Sequence, residues 1–304
     1  MIPPSKPDEP YNFTQPVHKI DLNGQYNQPI YINHEIFKNR VKNGFFLEAG
    51  AYDGETYSNS LYFELKHNWT GILIEANPDA FMDLKLKHRK SWLMGNCLST
   101  KEHSEVVDFD AAGLLGGIIH DGKRPGRNPV TEDKHTFGAG LKIPGLGEKH
   151  TFERRTLRLE CYPLYTILNA IGNPTVHYFR YVFRIPTFNG YLGKKVNSFL
   201  YHLVSSLLLA MELPKSKPPL TFNFSYCSLD VEGSELPILR TIPFDKVDIK
   251  VLDIEIKHAG RIFSGSHEEI TNWMDMQGYD LYAYIAKTDA IYVKRGYLDE
   301  LNEF

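Results

Sequence analysis

Two acids placed at the ends of apolar runs are the residues of this chain best spaced for chemistry. In Gly44-Phe45-Phe46-Leu47-Glu48-Ala49-Gly50-Ala51-Tyr52-Asp53-Gly54 a run closes on Glu48 and a glycine-spaced turn. In Gly71-Ile72-Leu73-Ile74-Glu75-Ala76-Asn77-Pro78 a second run closes on Glu75, 21 residues beyond Gly54. A strand, a glycine turn and then an acid at about this distance is the layout of a nucleotide site at the first crossover of a doubly wound sheet, where the acid accepts hydrogen bonds from ribose hydroxyls. Either acid alone would suit an ordinary tight turn; the pair favours a site. The turn reads Gly-x-x-x-Gly rather than Gly-x-Gly-x-x-Gly, and the charge on Glu48 would repel a pyrophosphate and attract an ammonium or sulfonium group. S-adenosylmethionine fits both demands. The expected cofactor contacts are Glu48, Gly50, Ala51 and Gly54 at the methionine end, Glu75 at the ribose with Asn77 beside it, and Asn96, with Ser99, near the adenine.

A second set lies later in the chain. Ser228-Leu229-Asp230-Val231-Glu232-Gly233 brings two carboxylates to the end of an apolar run, and His258 follows another run that ends in Glu255. A buried carboxylate can orient or deprotonate a methyl acceptor, and His258 is a side chain that titrates near neutrality. Asp230, Glu232 and His258 are therefore the expected catalytic residues, although strand-end acids also serve as turn and cap residues. Glu235 opens the following helix, where the dipole favours an acid. No metal site is expected.

The elements that must carry these residues follow a βαβ rhythm. Phe45 to Leu47 and Ile72 to Ile74 read as strands buried on both faces. A helix from about Ile30, with Ile32, Ile36, Phe37 and Val41, leads into the first. Asn77-Pro78 is a cap and first helical position, with Phe81, Leu84 and Leu86 available for packing. Further strands are expected at Ser91–Gly95, Val106–Phe109, Thr156–Cys161 and Ile249–Ile256, and a helix at Pro163–Ile171. Ser266-His267-Glu268-Glu269 is a capping box opening a helix that offers Ile270, Trp273, Met274 and Met276. Tyr279–Ile285 and Ala290–Val293 read as a closing hairpin.

These motifs resemble the FkbM-type methyltransferase domain: Phe46 to Gly54, Ile74 to Pro78 and Ser228 to Glu235 occur in its order. Leu61-Tyr62-Phe63-Glu64 and Asn68-Trp69-Thr70-Gly71 resemble its animal Star-like branch. The resemblance implies an α/β, Rossmann-like class I fold for S-adenosylmethionine-dependent methyl transfer, with a mostly parallel seven-stranded sheet and a C-terminal antiparallel hairpin. It implies a small-molecule methyl donor and O- or N-transfer to an unassigned acceptor, whether sugar, lipid or peptide. The Star-like wording implies the alternative, a non-catalytic factor in ER, Golgi and endosome trafficking of membrane-bound growth-factor precursors.

The organisation expected is an N-terminal extension over 1–40, partly disordered, and a methyltransferase domain over 41–304 interrupted by a segment at about 180–227. Joining Tyr178-Phe179 to Ser228 would restore the family's motif, which suggests an in-frame retained intron that transcript sequencing would test. Val196 to Leu213 is apolar but carries too many polar residues to span a membrane. Met1 to Pro16 has neither the basic start nor the apolar stretch of a signal peptide or anchor. Gly113 to His150 reads as a long loop bordering the site, its Lys123, Arg124, Arg127, Lys134, His135 and Lys142 able to meet an anionic acceptor. The 304 residues carry a net charge of -3, which gives no electrostatic commitment to nucleic acid. Cys97, Cys161 and Cys227 read as buried reduced thiols. Location is expected to be cytoplasmic as the chain stands and ER-, Golgi- or endosome-associated if Star-like; sequons at Asn12, Asn68 and Asn223 are compatible with a lumen.

Overall fold

The computed structural model describes residues 1–123, 155–172, 222–260 and 265–303. The strands in chain order are β1 (Phe45–Ala49), β2 (Thr70–Ile74), β3 (Trp92–Met94), β4 (Cys97–Leu98), β5 (Glu105–Ala111), β6 (Gly117–Ile118), β7 (Arg155–Tyr162), β8 (Phe222–Leu229), β9 (Val247–Glu255), β10 (Tyr279–Ile285) and β11 (Asp289–Lys294). The helices are α1 (Gln28–Tyr31), α2 (Leu61–His67), α3 (Pro78–Leu86), α4 (Leu164–Ile171), α5 (Glu235–Thr241), α6 (His267–Met276) and α7 (Tyr297–Asn302).

Seven strands form one mixed sheet in the order β10-β11-β9-β8-β1-β2-β3. β3, β2, β1, β8 and β9 are parallel, while β11 runs antiparallel to both β9 and β10. The chain therefore builds outward from β1 to β3, returns to the other side of β1 for β8, and closes on the hairpin read from the sequence. Open sheets leave a crevice where the strand order reverses, at the carboxyl ends of the two strands concerned. Here those strands are β1 and β8.

Both faces of the sheet are covered, which is why its central strands read as unbroken apolar runs. Leu47, Ile72, Phe224 and Leu252 pack toward α4, α5 and α6 through Leu164, Leu168, Leu239 and Met274. Phe46, Leu73, Tyr226 and Val251 pack the opposite way, onto Ile32, Ile36, Phe37, Phe63, Trp69 and Tyr297. Each such side chain, fully buried, is worth about 1.5–3 kcal/mol. The expected N-terminal helix is α1 followed by a π turn over Ile32–Ile36, and its apolar side goes into this core. Upstream, Ile2 bridges Leu93 and Asn12 N–H donates to the Lys87 carbonyl, so this stretch runs along the edge of the sheet.

Several expectations are corrected. Leu86 and Met276 are 58% and 68% exposed rather than packed. Phe222 to Cys227, read as the tail of an interruption, form the body of β8, paired with β1 on one side and β9 on the other, with Phe224, Tyr226 and Cys227 buried. Residues 180–221, including the apolar stretch 196–213, and the basic loop residues from Arg124 to Lys142 lie outside the described residues. Among the described residues no helix is long and apolar enough to cross a membrane.

A second sheet was not foreseen: β4-β7-β5-β6, whose first strand follows β3 directly in the chain. It changes the account of the cysteines. Cys97 on β4 and Cys161 on β7 are register partners and are joined by a disulfide, their Cα atoms 4.4 Å apart across a sequence separation of 64. Only Cys227 of the three is a buried free thiol.

Candidate functional site

A cavity of about 330 Å³ opens at the carboxyl ends of β1, β2, β8 and β9, at the switch point of the sheet. Glu48, Gly50, Ala51, Glu75, Asn96, Asp230 and Glu232 all line it. These residues come from stretches nearly 200 positions apart in sequence, and the parallel pairing of β1 with β2 and β8 is what assembles them.

The turn after β1 is held by its own chain. Gly50 and Ala51 N–H both donate to the Ile74 carbonyl, at 3.0 and 3.1 Å, and Tyr52, with φ of 47°, donates its N–H to Glu75 Oε2 at 2.7 Å. Gly50, at φ 86°, lies so close to the turn after β8 that a Cβ there would stand 2.0 Å from the Asp230 carbonyl oxygen. No helix follows this turn directly: Asp53 instead accepts from Glu55 and Thr56 N–H at 2.9 and 2.7 Å, and α2 starts only at Leu61. The N–H groups of Gly50, Ala51, Tyr52, Glu55 and Thr56 are thus taken up within the chain.

Glu75 is the best placed of the expected binding residues. It projects from the end of β2, buried, with Oε2 taking Tyr52 N–H and Oε1 taking Asn77 N–H at 2.6 Å. Ala76 N–H contributes as well, and the carboxylate's four accepting positions are not all taken. Burial pushes its carboxyl up to about 7, against the pull of those N–H bonds. Glu48 is more committed. Its Oε2 accepts from Ser58 Oγ at 2.9 Å and from Ser60 Oγ, and its Oε1 from Asn59 N–H at 2.7 Å. Behind it sits Arg89, fully buried, donating to Ser60 Oγ at 3.0 Å and paired with Glu64 at 3.1 Å. Burial raises the Glu48 carboxyl and Arg89 opposes the shift. This Ser58-Ser60-Arg89-Glu64 support was missed because a lone arginine in a polar stretch carries no spacing signal.

Three expected binding residues fall elsewhere. Gly54 does not line the cavity; a Cβ there would meet Leu84 Cδ1 at 2.3 Å, so its smallness serves the packing of α3. Asn77 caps α3, its side chain accepting from Asp79 N–H at 3.1 Å, and reaches the site only through its bond to Glu75. Ser99 is buried in a turn, donating to the His103 carbonyl and to Glu105. Asn96 borders the cavity while its Nδ2 donates to the Glu160 carbonyl at 3.1 Å. The wall on this side is apolar, built from Leu98, Phe109, Leu115 and Ile118 of the second sheet and its connections. Gln25, Tyr26 and Tyr57 line the mouth and were not singled out by sequence.

At the opposite end the carboxyl edges of β8 and β9 bring acids together. Asp230 is pushed up to about 6, chiefly by burial, with a Glu255 hydrogen bond and Lys257 opposing. Glu255, the last residue of β9, is held well above the usual carboxylate range by burial and by Asp230, Glu232 and Glu235 around it. His258 does not line the cavity but places Nε2 3.3 Å from Glu232 Oε2 and 3.7 Å from Glu255 Oε1. Glu235 accepts from Val231 and Gly233 N–H, both at 3.1 Å, closing the turn on which Glu232 sits. Burial lifts it, too, to about 7.

These shifts set a sign for stability. Glu75 and Glu235 hold their proton in the folded protein up to about pH 7, whereas their ordinary value is 4.5. Between those limits the folded state binds more protons than the unfolded, so stability falls as pH rises. The ligand-free protein is expected to lose several degrees of melting temperature between about pH 5 and 8. Scanning calorimetry across that range checks it; a melting temperature that rises over the window would contradict the burial of these carboxyls.

No curated protein and no solved structure matches this chain. Residues 221–281, which run from β8 through α5, β9 and α6 into β10 and carry Asp230, Glu232, Glu255 and His258, match the family model of the methyltransferase FkbM domain.

Proposed function

We propose that the protein is an S-adenosylmethionine-dependent methyltransferase of the Rossmann-like class I type, acting on an oxygen or nitrogen acceptor. The observation that carries the reading is Glu75, a buried carboxylate fixed by backbone N–H groups with accepting capacity left over, at the end of β2 beside the strand-order switch. The methyltransferase FkbM match and the mostly parallel seven-stranded sheet closed by an antiparallel hairpin support it.

The residues fit the cofactor in size and in charge. The cavity, at about 330 Å³, lies within the range of small-molecule sites. Its apolar wall at Leu98, Phe109 and Ile118 suits a base, and Glu75 suits two ribose hydroxyls. Glu48 and Asp230 leave the far end negative, which suits a sulfonium and an ammonium and disfavours phosphates. When bound, S-adenosylmethionine supplies an electrophilic methyl group on sulfur.

The chain's own residues then have three tasks. Glu75, fixed by Tyr52 and Asn77 N–H, orients the nucleoside. The wall of the second sheet excludes water from its base. Asp230, with a carboxyl raised to about 6, stands where it can take the acceptor's proton near neutral pH.

Ligand selectivity tests this reading. In a thermal-shift series, S-adenosylhomocysteine and S-adenosylmethionine are expected to raise the melting temperature while NAD and ATP leave it unchanged, because only the latter bring phosphates to the acidic end. Stabilisation by NAD or ATP alone would overturn the assignment.

A further inference from the structure

We propose that Glu232, Glu255 and His258 form a binding site for one divalent transition ion, manganese(II) or zinc(II), with its open coordination positions facing the cavity. One ligand atom from each of the three can be chosen so that all lie within 4.8 Å of one another. His258 Nε2 is 3.3 Å from Glu232 Oε2 and 3.7 Å from Glu255 Oε1. Donors around an ion with bonds of about 2.1 Å stand roughly 3 Å apart, so small side-chain adjustments close the set.

The three residues are also built to stay there. Glu232, Glu255 and His258 are 8%, 5% and 4% exposed. Glu255 ends β9, and Glu232 sits on the turn that follows β8. Those strands pair in parallel, so their carboxyl ends coincide. The Glu255 carboxyl, buried with no donor on Oε2, is relieved in the metal-free protein by its hydrogen bond with Asp230, and a cation can take over that role. A buried carboxylate oxygen without a donor is costly unless something positive meets it.

Donor chemistry narrows the ion. One imidazole with two carboxylates is a harder set than the thiolate sites zinc uses for structure and a softer one than the all-oxygen sites of magnesium and calcium. Three protein ligands leave positions for water or substrate, as in catalytic rather than structural centres. Glu232 and Glu255 line the cavity, so those positions open onto it. An acceptor oxygen suits them, which favours hydroxyl-bearing acceptors over amines. This last clause rests on the methyl-transfer reading; the cation site does not.

Manganese(II) titrated into the full chain and followed by electron paramagnetic resonance tests the site, with zinc(II) followed by calorimetry. One ion per chain is expected, with affinity weakened at least about tenfold in His258→Gln and in Glu255→Gln. Both variants should keep the wild-type far-ultraviolet circular dichroism spectrum, which separates loss of a ligand from loss of the fold. Electron-nuclear double resonance on the wild-type protein should show nitrogen coupling from one imidazole, a readout that needs no variant. Absence of binding at roughly millimolar metal, or binding without imidazole coupling that both variants retain, overturns the site. If S-adenosylhomocysteine still binds in that case, the methyl-transfer reading stands without it. Cation binding in a protein that takes no S-adenosylhomocysteine would instead remove that reading and leave the site in place.

Discussion

Replacing Gly50 by alanine is expected to destabilise the protein by at least about 3 kcal/mol, and to empty the site with it. Two costs combine. At φ 86° any side chain is strained, which accounts for roughly 1–2 kcal/mol. The added Cβ would also stand 2.0 Å from the Asp230 carbonyl oxygen, a backbone atom that cannot swing aside. Relief requires separating the turn after β1 from the turn after β8, which breaks the Asp230 N–H to Ala49 carbonyl bond at 3.1 Å and moves Asp230 itself. Gly278→Ala is the control. Gly278 has nearly the same φ, 87°, with nothing within 4 Å of the added atom, so it should lose only the strain component. Urea denaturation of both variants measures the difference. Equal losses would mean that the contact between the two turns does not hold the site together.

The sheet was legible where burial imposes a pattern. Phe45 to Leu47 and Ile72 to Ile74 are apolar throughout because helices cover both faces, and the Ser266–Glu269 capping box forms as read, Glu269 N–H to Ser266 Oγ at 3.2 Å. The second sheet was harder. β5 and β7 alternate exposed and partly buried residues until their inner ends, and their pairing joins Glu105 to Cys161 across a long intervening stretch. The Cys97–Cys161 disulfide was hidden for the same reason, since the two come together through the pairing of β4 with β7 and not through spacing.

The site shows the same division. Glu48, Glu75, Asp230 and Glu232 could be found because each lies at or just beyond the carboxyl end of a strand, and strand ends can be read from apolar runs. What each carboxylate does could not, because its partners come from turns. Glu48 is tied to Ser58, Asn59 and Ser60, while Gly54 answers to Leu84. The approach of His258 to Glu232 likewise depends on the neighbouring ends of β8 and β9. Residues Phe222 to Cys227 looked foreign beside the motif that follows them, yet their alternation places Phe224 and Tyr226 in core contacts on β8.

The loss of Glu75 should have the largest effect on binding. Its side chain is oriented before any ligand arrives, so the whole of its interaction with a ribose is available as affinity. Above pH 7, where the carboxyl is ionised, two hydrogen bonds to this charged acceptor are worth about 3 kcal/mol or more, which is roughly a hundredfold. Calorimetric titration with S-adenosylhomocysteine is the most direct measurement of the central claim. One site per chain is expected in the wild-type protein, with at least about a hundredfold weaker binding in Glu75→Ala and a little-changed fold by circular dichroism. No heat of binding at roughly millimolar ligand, or equal affinity in the two proteins, would contradict the account.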